Sequence, residues 1–279
     1  MISSLILPLL MQSANPFGSP IDPVLRPSEA KRQEAVNPPP PPVVKAKTPM
    51  DARLEQCLDQ AANDPGKGLL AANKWQIEGG GYLARNCLGF AYAELSDWAK
   101  AAAEFVKAAE GAESTSDERA AIFWSQAGNA AFASGDNPAA LTYLGNALAQ
   151  NSLDGLLKGE VHLDIARVSV ALNQYDEAKK QFAFVHQLVP QDPLGWLLSA
   201  TLARRMGDLA LAKSDIAEAV KLAGSDPAIA LEAGNIAYEA GDVLNAKSNW
   251  EQAVKLGTDS PSAKVAKGYL AQLVTSVAE

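Results

Sequence analysis

The sequence predicts an all-α solenoid, a series of stacked helical hairpins closed by a capping helix. Three observations point to it. One spacing of small and large residues recurs along most of the chain. A polar turn, usually carrying glycine or asparagine, falls at the same place in each period. And the composition is 48% hydrophobic but only 6% aromatic, so alanine supplies much of the apolar content. Alanine has the best helix propensity and lets helix backbones approach closely.

The chain opens with "MISSLILPLLMQSA" (residues 1–14). The apolar run Ile2–Met11 is too short for a bilayer, which takes about 20 residues. It has the length of the apolar region of a signal peptide, and Ala14 is suited to end a cleavage site. No Lys or Arg supports it, and Gln12 is a poor residue three places before the cut. Two readings stand: a signal peptide that exports the chain to the periplasm, or a frayed or misassigned start on a cytoplasmic protein. Residues 15–49 show no apolar period and contain Pro38 to Pro42 in a row. Five prolines favour an extended polyproline II spacer, with a ligand for an aromatic groove as the lesser reading.

Residues 50–81 read as a degenerate hairpin: "DARLEQCLDQAA" as a helix, "NDPGKG" as a turn, "LLAANKWQ" as a second helix and "EGGGY" as a joint. Five clearer frames follow over residues 82–260, starting at Tyr82, Ala121, Gly159, Pro193 and Pro227. In each, position 8 is small (Gly89, Gly128, Ala166, Ala200, Gly234) and position 20 is alanine (Ala101, Ala140, Ala178, Ala212, Ala246). Position 24 is bulky (Phe105, Leu144, Phe182, Ile216, Trp250), and position 27 is small again. The expected reason is a close crossing of two helices at positions 8 and 20. Between the helices lie "SDW", "GDN", "NQY", "GDL" and "GDV", where Gly or Asn ends one helix in the left-handed conformation and a polar residue helps cap the next. Residues 261–279, with "SAKVAKGYLAQLV", read as the helix that covers the last apolar face, as the end of a repeat stack requires.

This pattern resembles the tetratricopeptide repeat, over about Tyr82 to Val274. The match rests on the positions above, on Leu88 and Tyr92, on Pro190 and on "NQYDEAKKQF" (173–182). It departs where position 11 lacks an aromatic after the first frame and where two links carry four or five extra residues, near "EGAESTSDE" and "AQNSLDGLLKGE". The resemblance implies a right-handed superhelix that binds a protein or peptide on a concave face lined by the first helix of each pair. At the family's groove positions stand Asn86, Asn129, Phe132, Arg167, Arg204, Asn235, Tyr238 and Tyr269. Asn129 and Asn235 suit an extended peptide backbone, Arg167 and Arg204 a carboxylate, and the aromatics apolar contact. The lysines of the family's carboxylate-clamp subtype are missing. An assembly element of an envelope complex is the alternative role.

The resemblance also bears on Cys57 and Cys87, the only two cysteines. They fall on first helices of successive units, which lie side by side in such stacks. Either they form a disulfide, which an exporting route permits, or they are two reduced, buried cysteines.

Chemistry is not legible elsewhere. The net charge is −8, and residues 50–279 hold 19 basic against 29 acidic residues, which disfavours a nucleic-acid partner. His162 takes a core slot at position 4, where other frames have Trp124 and Trp196. His186 sits near a helix C-terminus, where the dipole favours a cation. Neither has metal-ligand spacing around it. There is no phosphate-binding glycine motif and no Gly-x-Ser-x-Gly elbow. Asp176 and Glu177 read as first-turn acids, not an acid/base pair. The sequence therefore predicts no enzyme, no cofactor, no metal and no transmembrane span.

Overall fold

A computed structural model describes residues 48–277, with side chains through Leu273. The proposed signal peptide and nearly all of the proline-rich spacer lie outside the described residues. Within them the protein is all-α, with thirteen helices: α1 (Pro49–Asn63), α2 (Pro65–Ile77), α3 (Gly81–Glu94), α4 (Trp98–Ser114), α5 (Ala120–Ala133), α6 (Asn137–Ala149), α7 (Gly155–Ala171), α8 (Tyr175–Leu188), α9 (Pro193–Arg205), α10 (Leu209–Ala223), α11 (Pro227–Glu239), α12 (Val243–Leu256) and α13 (Pro261–Val277). None is long and apolar enough to cross a membrane. The chain divides after Leu153 into two compact units. In the N-terminal unit, α1–α6, each helix packs on its neighbour in sequence, and α1 also reaches α3. In the C-terminal unit, α7–α13, the same serial packing is joined by first-helix contacts of α9 with α11 and of α11 with α13.

The hairpin turns share one geometry. Ser96, Gly135, Asn173, Gly207 and Gly241 all stand at position 15 of their frames, with φ between 55° and 90°. The next residue's N–H returns to a carbonyl five residues back, as from Asp136 to Ala131 (2.9 Å) and Asp208 to Ala203 (2.9 Å). This bond closes the first helix in the left-handed style. The same aspartate often opens the second: Asp136, Asp208 and Asp242 each accept an N–H three residues on. One turn thus ends a helix and starts another.

The small and large positions interlock. Where position 8 is glycine, it lies under the side chain of position 24. A Cβ built on Gly89 would stand 2.6 Å from the Phe105 ring, one on Gly128 2.6 Å from Leu144, and one on Gly234 2.4 Å from Trp250. The alanines at position 20 are fully buried beside them. Each of these three hairpins is therefore a knob set against a bare backbone; the third and fourth frames have Ala166 and Ala200 at that position.

Three readings change. "NDPGKG" is not a turn: only Asp64 breaks the helices, and it caps α2 at Lys67. Gly68 lies inside α2, where a Cβ would meet the Ala61 Cα at 2.5 Å. The spacer ends earlier than expected, because Thr48 caps α1 with Asp51 in a reciprocal capping box and Pro49 is already helical. The extra residues of the first link lengthen α4 to 17 residues; those of the second fall in the α6–α7 connection and in a 17-residue α7.

Two devices hold α1 onto its unit. Cys57 and Cys87 are disulfide-bonded, with Cα atoms 6.1 Å apart, and both are buried. Closing a loop of this length (30 residues apart) stabilises by about 3–4 kcal/mol through the unfolded chain. Unfolded, unreduced protein should show no titratable thiol and reduced protein two. Double substitution by serine should lower stability by that amount in denaturant unfolding.

The second device is polar. Arg119 bonds Asp51 of α1 (2.7 Å) and also Asp117, which accepts in turn from the Tyr82 hydroxyl (2.6 Å). The Arg119 guanidinium, together with Tyr82, holds the Asp117 carboxyl far below the usual carboxylate range, against the opposing effect of burial. A depressed folded value stabilises above the unfolded value near 4, and that stability is lost as pH falls. The N-terminal unit should therefore weaken below about pH 4, and Asp117→Asn should flatten that acid limb in pH-dependent thermal melts.

Candidate functional site

The first helices, α3, α5, α7, α9, α11 and α13, carry the residues assigned to a binding face, and each unit presents its own set. In the N-terminal unit, Asn86 is only 2% exposed. Its amide donates to Gln126 Oε1 at 2.6 Å, tying α3 to α5. It is a strut between repeats, not a waiting donor. Asn129 and Phe132 follow on α5 and are half-buried.

The C-terminal unit holds a denser arrangement. Arg204 on α9 reaches across to α11, where Nε donates to Glu232 Oε1 at 2.6 Å and Nη1 bonds Glu239. Glu232 accepts a further bond from the Asn235 amide (3.0 Å), and Asn235 accepts from the Trp250 indole N–H on α12 (3.1 Å). Tyr238 and Tyr269 both tilt against that indole, at 5.5 and 5.0 Å between centroids. Four of the predicted residues, Arg204, Asn235, Tyr238 and Tyr269, thus converge on one network around Trp250. Arg167 lies on α7 with Asp164 as a partner at 3.2 Å.

The electrostatics are those of a compensated, partly buried cluster. Arg204 and Glu232 keep 17% and 8% side-chain exposure. Burial works against the Arg204 charge, but Glu232 and Glu239 outweigh it and hold the guanidinium above its ordinary value. Burial pushes the Glu232 carboxyl up, with Arg204 and Asn235 opposing. Arg204 thus already pairs with two carboxylates of its own chain. Tyr238 of α11 is half-buried at the rim of this network. On α7, burial also raises the Glu160 carboxyl, and Asp164, Asp192 and Asp154 add to the effect.

Sequence reasoning missed Glu232 and Gln126. Glu232 is the lone acid of "AIALEAGNIA", and a single charge in an apolar helix is a legible signal of a buried partner. Gln126 carries no such mark. His162 fills its core slot, with Nδ1 2.6 Å from Gln181. His186 lies in the last turn of α8 as expected, but it stacks on Trp196 and burial lowers its affinity for a proton. Among the described residues, no group of three or more His, Cys, Asp or Glu is placed to hold a metal ion.

No family model matches the sequence, and no curated protein does. Solved structures do. PilF of Pseudomonas aeruginosa superposes with a TM-score of 0.64 at 19% identity, covering 80% of this chain and 97% of its own. PilW, described as a widely conserved type IV pilus biogenesis factor, gives 0.66 at 15% identity, covering 82% and 100%. YrrB, described as a TPR protein with an unusual peptide-binding site, gives 0.52 at 18% identity, covering 74% and 99%. With its recurrent left-handed turns, its knob-on-glycine hairpins and these likenesses, the chain has the tetratricopeptide-repeat fold.

Proposed function

We propose that the protein is a non-enzymatic scaffold that binds a protein or peptide on the first-helix faces of its hairpins, in the bacterial cell envelope. The observation that carries this reading is the convergence, from α9, α11 and α13, of a prepaired arginine, an amide and two tyrosines around Trp250. Side chains already locked by one another lose little freedom on binding, and so favour a specific partner. The likeness to a repeat protein with a peptide-binding site agrees with this. The envelope assignment draws on the likeness to a pilus biogenesis factor, on the buried disulfide, which suits an oxidising compartment, and on the signal-like run of residues 1–14.

A second reading, an assembly element, is favoured by apolar residues that the hairpins leave outward: Leu70 (74% exposed) and Ile77 (88%) on α2, and Leu244 (83%) on α12. Photo-crosslinking in cells separates the two. Probes at positions 129, 132, 167 and 238 should capture the partner, with identification by mass spectrometry. Capture only from positions 70, 77 and 244 would replace the scaffold reading by assembly. Fractionation with N-terminal sequencing of the mature chain tests export, and a cytoplasmic protein that retains Met1 would end the envelope assignment.

A further inference from the structure

The first hairpin of the described residues leaves an apolar stripe outward. On α2, Gly68, Ala72 and Trp75 form the buried side. Leu70 and Ile77 stand on the other, 74% and 88% exposed. Seven residues apart, they fall on one line of the helix, about 10.5 Å from each other along its axis.

The chain enters the hairpin beside this stripe. Asp64 alone joins α1 to α2, and near that end Gly68 lies against Ala61. At the far end Arg53, in the second turn of α1, pairs with Glu78, the cap of α2. Its guanidinium also stands 5.1 Å from the centre of the Trp75 ring. The two helices are therefore antiparallel, and Thr48 lies at the Ile77 end of α2. Thr48 has φ −73° and ψ 160°, close to polyproline II. The chain thus reaches α1 already in the conformation that Pro38 to Pro42 favour.

The lengths agree. Thr48 lies about 7.5 Å beyond Arg53 along α1. A polyproline II chain rises about 3.1 Å per residue, so Val44 is about 12 Å back from Thr48 and Pro41 about 22 Å. Folded back from the cap along α2, such a chain sets Val44 beside the Trp75–Ile77 turn and Pro41 beside Leu70. Pro41 and Val44 are one polyproline turn apart, about 9.3 Å, which nearly matches the step from Leu70 to Ile77. Pro40 and Val43 repeat the match one residue earlier, so the segment presents two adjoining apolar rows.

We propose that residues 38–47, which lie outside the described residues, form a strap along α2, with Pro40 and Pro41 on Leu70 and Val43 and Val44 on Ile77. The prolines fix the backbone beforehand, so docking costs little chain freedom. The tether gives a millimolar effective concentration, so a contact of modest area suffices. The strap covers the outer face of the edge hairpin, where a repeat stack needs a cap. It also moves the origin of the free spacer from Thr48 to the middle of α2. Leu70 and Ile77 are then taken by their own chain, and the assembly reading keeps only Leu244 of its three residues.

Photo-crosslinking of the purified full chain tests the strap. With p-benzoylphenylalanine at position 77, irradiation should give a link to Val43 or Val44; from position 70 the link should fall within residues 38–42. Both should form at the mass of a single chain, with the sites read by mass spectrometry after trypsin digestion. Both probe positions are exposed, so the fold accommodates them. The double variant Val43→Asp/Val44→Asp changes no residue of the helices and should cut the position-77 yield severalfold. A link at twice the chain mass would make this face a contact between copies and overturn the strap. So would links confined to α1–α6, no link at all, or an undiminished yield in the double variant.

Discussion

Phe105→Ala should destabilise the N-terminal unit by about 3–5 kcal/mol, the range for emptying a buried aromatic site. The ring has no exposed surface, and its edge rests on the Gly89 backbone. Truncation leaves a void between α3 and α4 that two helix backbones are too stiff to close. The partner change gives the sharper test. Gly89→Ala alone forces a methyl into the space of the Phe105 ring, and overpacking of this kind costs about 1–3 kcal/mol. In the Phe105→Ala background the same methyl enters the void and part of the loss returns. Urea unfolding of the parent, both single variants and the double variant yields the coupling directly. Additive costs would mean that positions 8 and 24 do not share one volume, and the knob-on-glycine account of the repeat would fail with them.

That account also shows what the sequence makes legible. A repeat constrains the same few positions in every period, so the left-handed residue at position 15 and the small–large pair stand out against drift. Ser96 is the exception that confirms the geometry: it takes the φ of 59° that glycine or asparagine supplies in the other turns. Where only one unit carries a constraint, there is no second copy to reveal it. In the sequence Gly68 reads as turn punctuation because Asp64-Pro65-Gly66 precedes it, yet in the structure it is the site of a helix crossing with Ala61. Groove positions were legible as positions, but not as burial. Position 5 holds Asn86 and position 9 holds Tyr269, and both are covered by adjacent helices. Which side chain covers them depends on the distance between neighbouring first helices, and no residue spacing encodes that distance. The pairing of Arg204 with Glu232 spans 28 residues, neither one helical turn nor one repeat, so no periodic search finds it. The same holds for Ser199 with Asp215 across 16 residues.

The Arg204–Glu232 pair is where stability and binding come closest to being confused. Arg204→Ala should cost about 3–5 kcal/mol, because removing one partner leaves a buried carboxylate uncompensated. Most of that penalty belongs to the stranded charge and not to the lost attraction. Adding Glu232→Gln should therefore recover much of the loss, since the neutral amide still serves Asn235. The variant's deficit should also depend on pH. Without the guanidinium, burial raises Glu232 with less opposition, so folding takes up a proton and the variant regains stability as pH falls. The gap between parent and Arg204→Ala should be wider at pH 8 than at pH 5, measured by denaturant unfolding at both. A gap of constant size would mean that the carboxylate is not stranded and that the pair is a surface contact of little worth. For partner binding the consequence is direct. A weakened complex in Arg204→Ala reports a disturbed hairpin unless Arg204→Ala/Glu232→Gln is weakened as well. If the double variant recovers stability and still fails to bind, the guanidinium contributes to recognition beyond its internal pairing. If binding returns together with stability, the network is a support, and recognition is carried by residues such as Tyr238 that it holds in place.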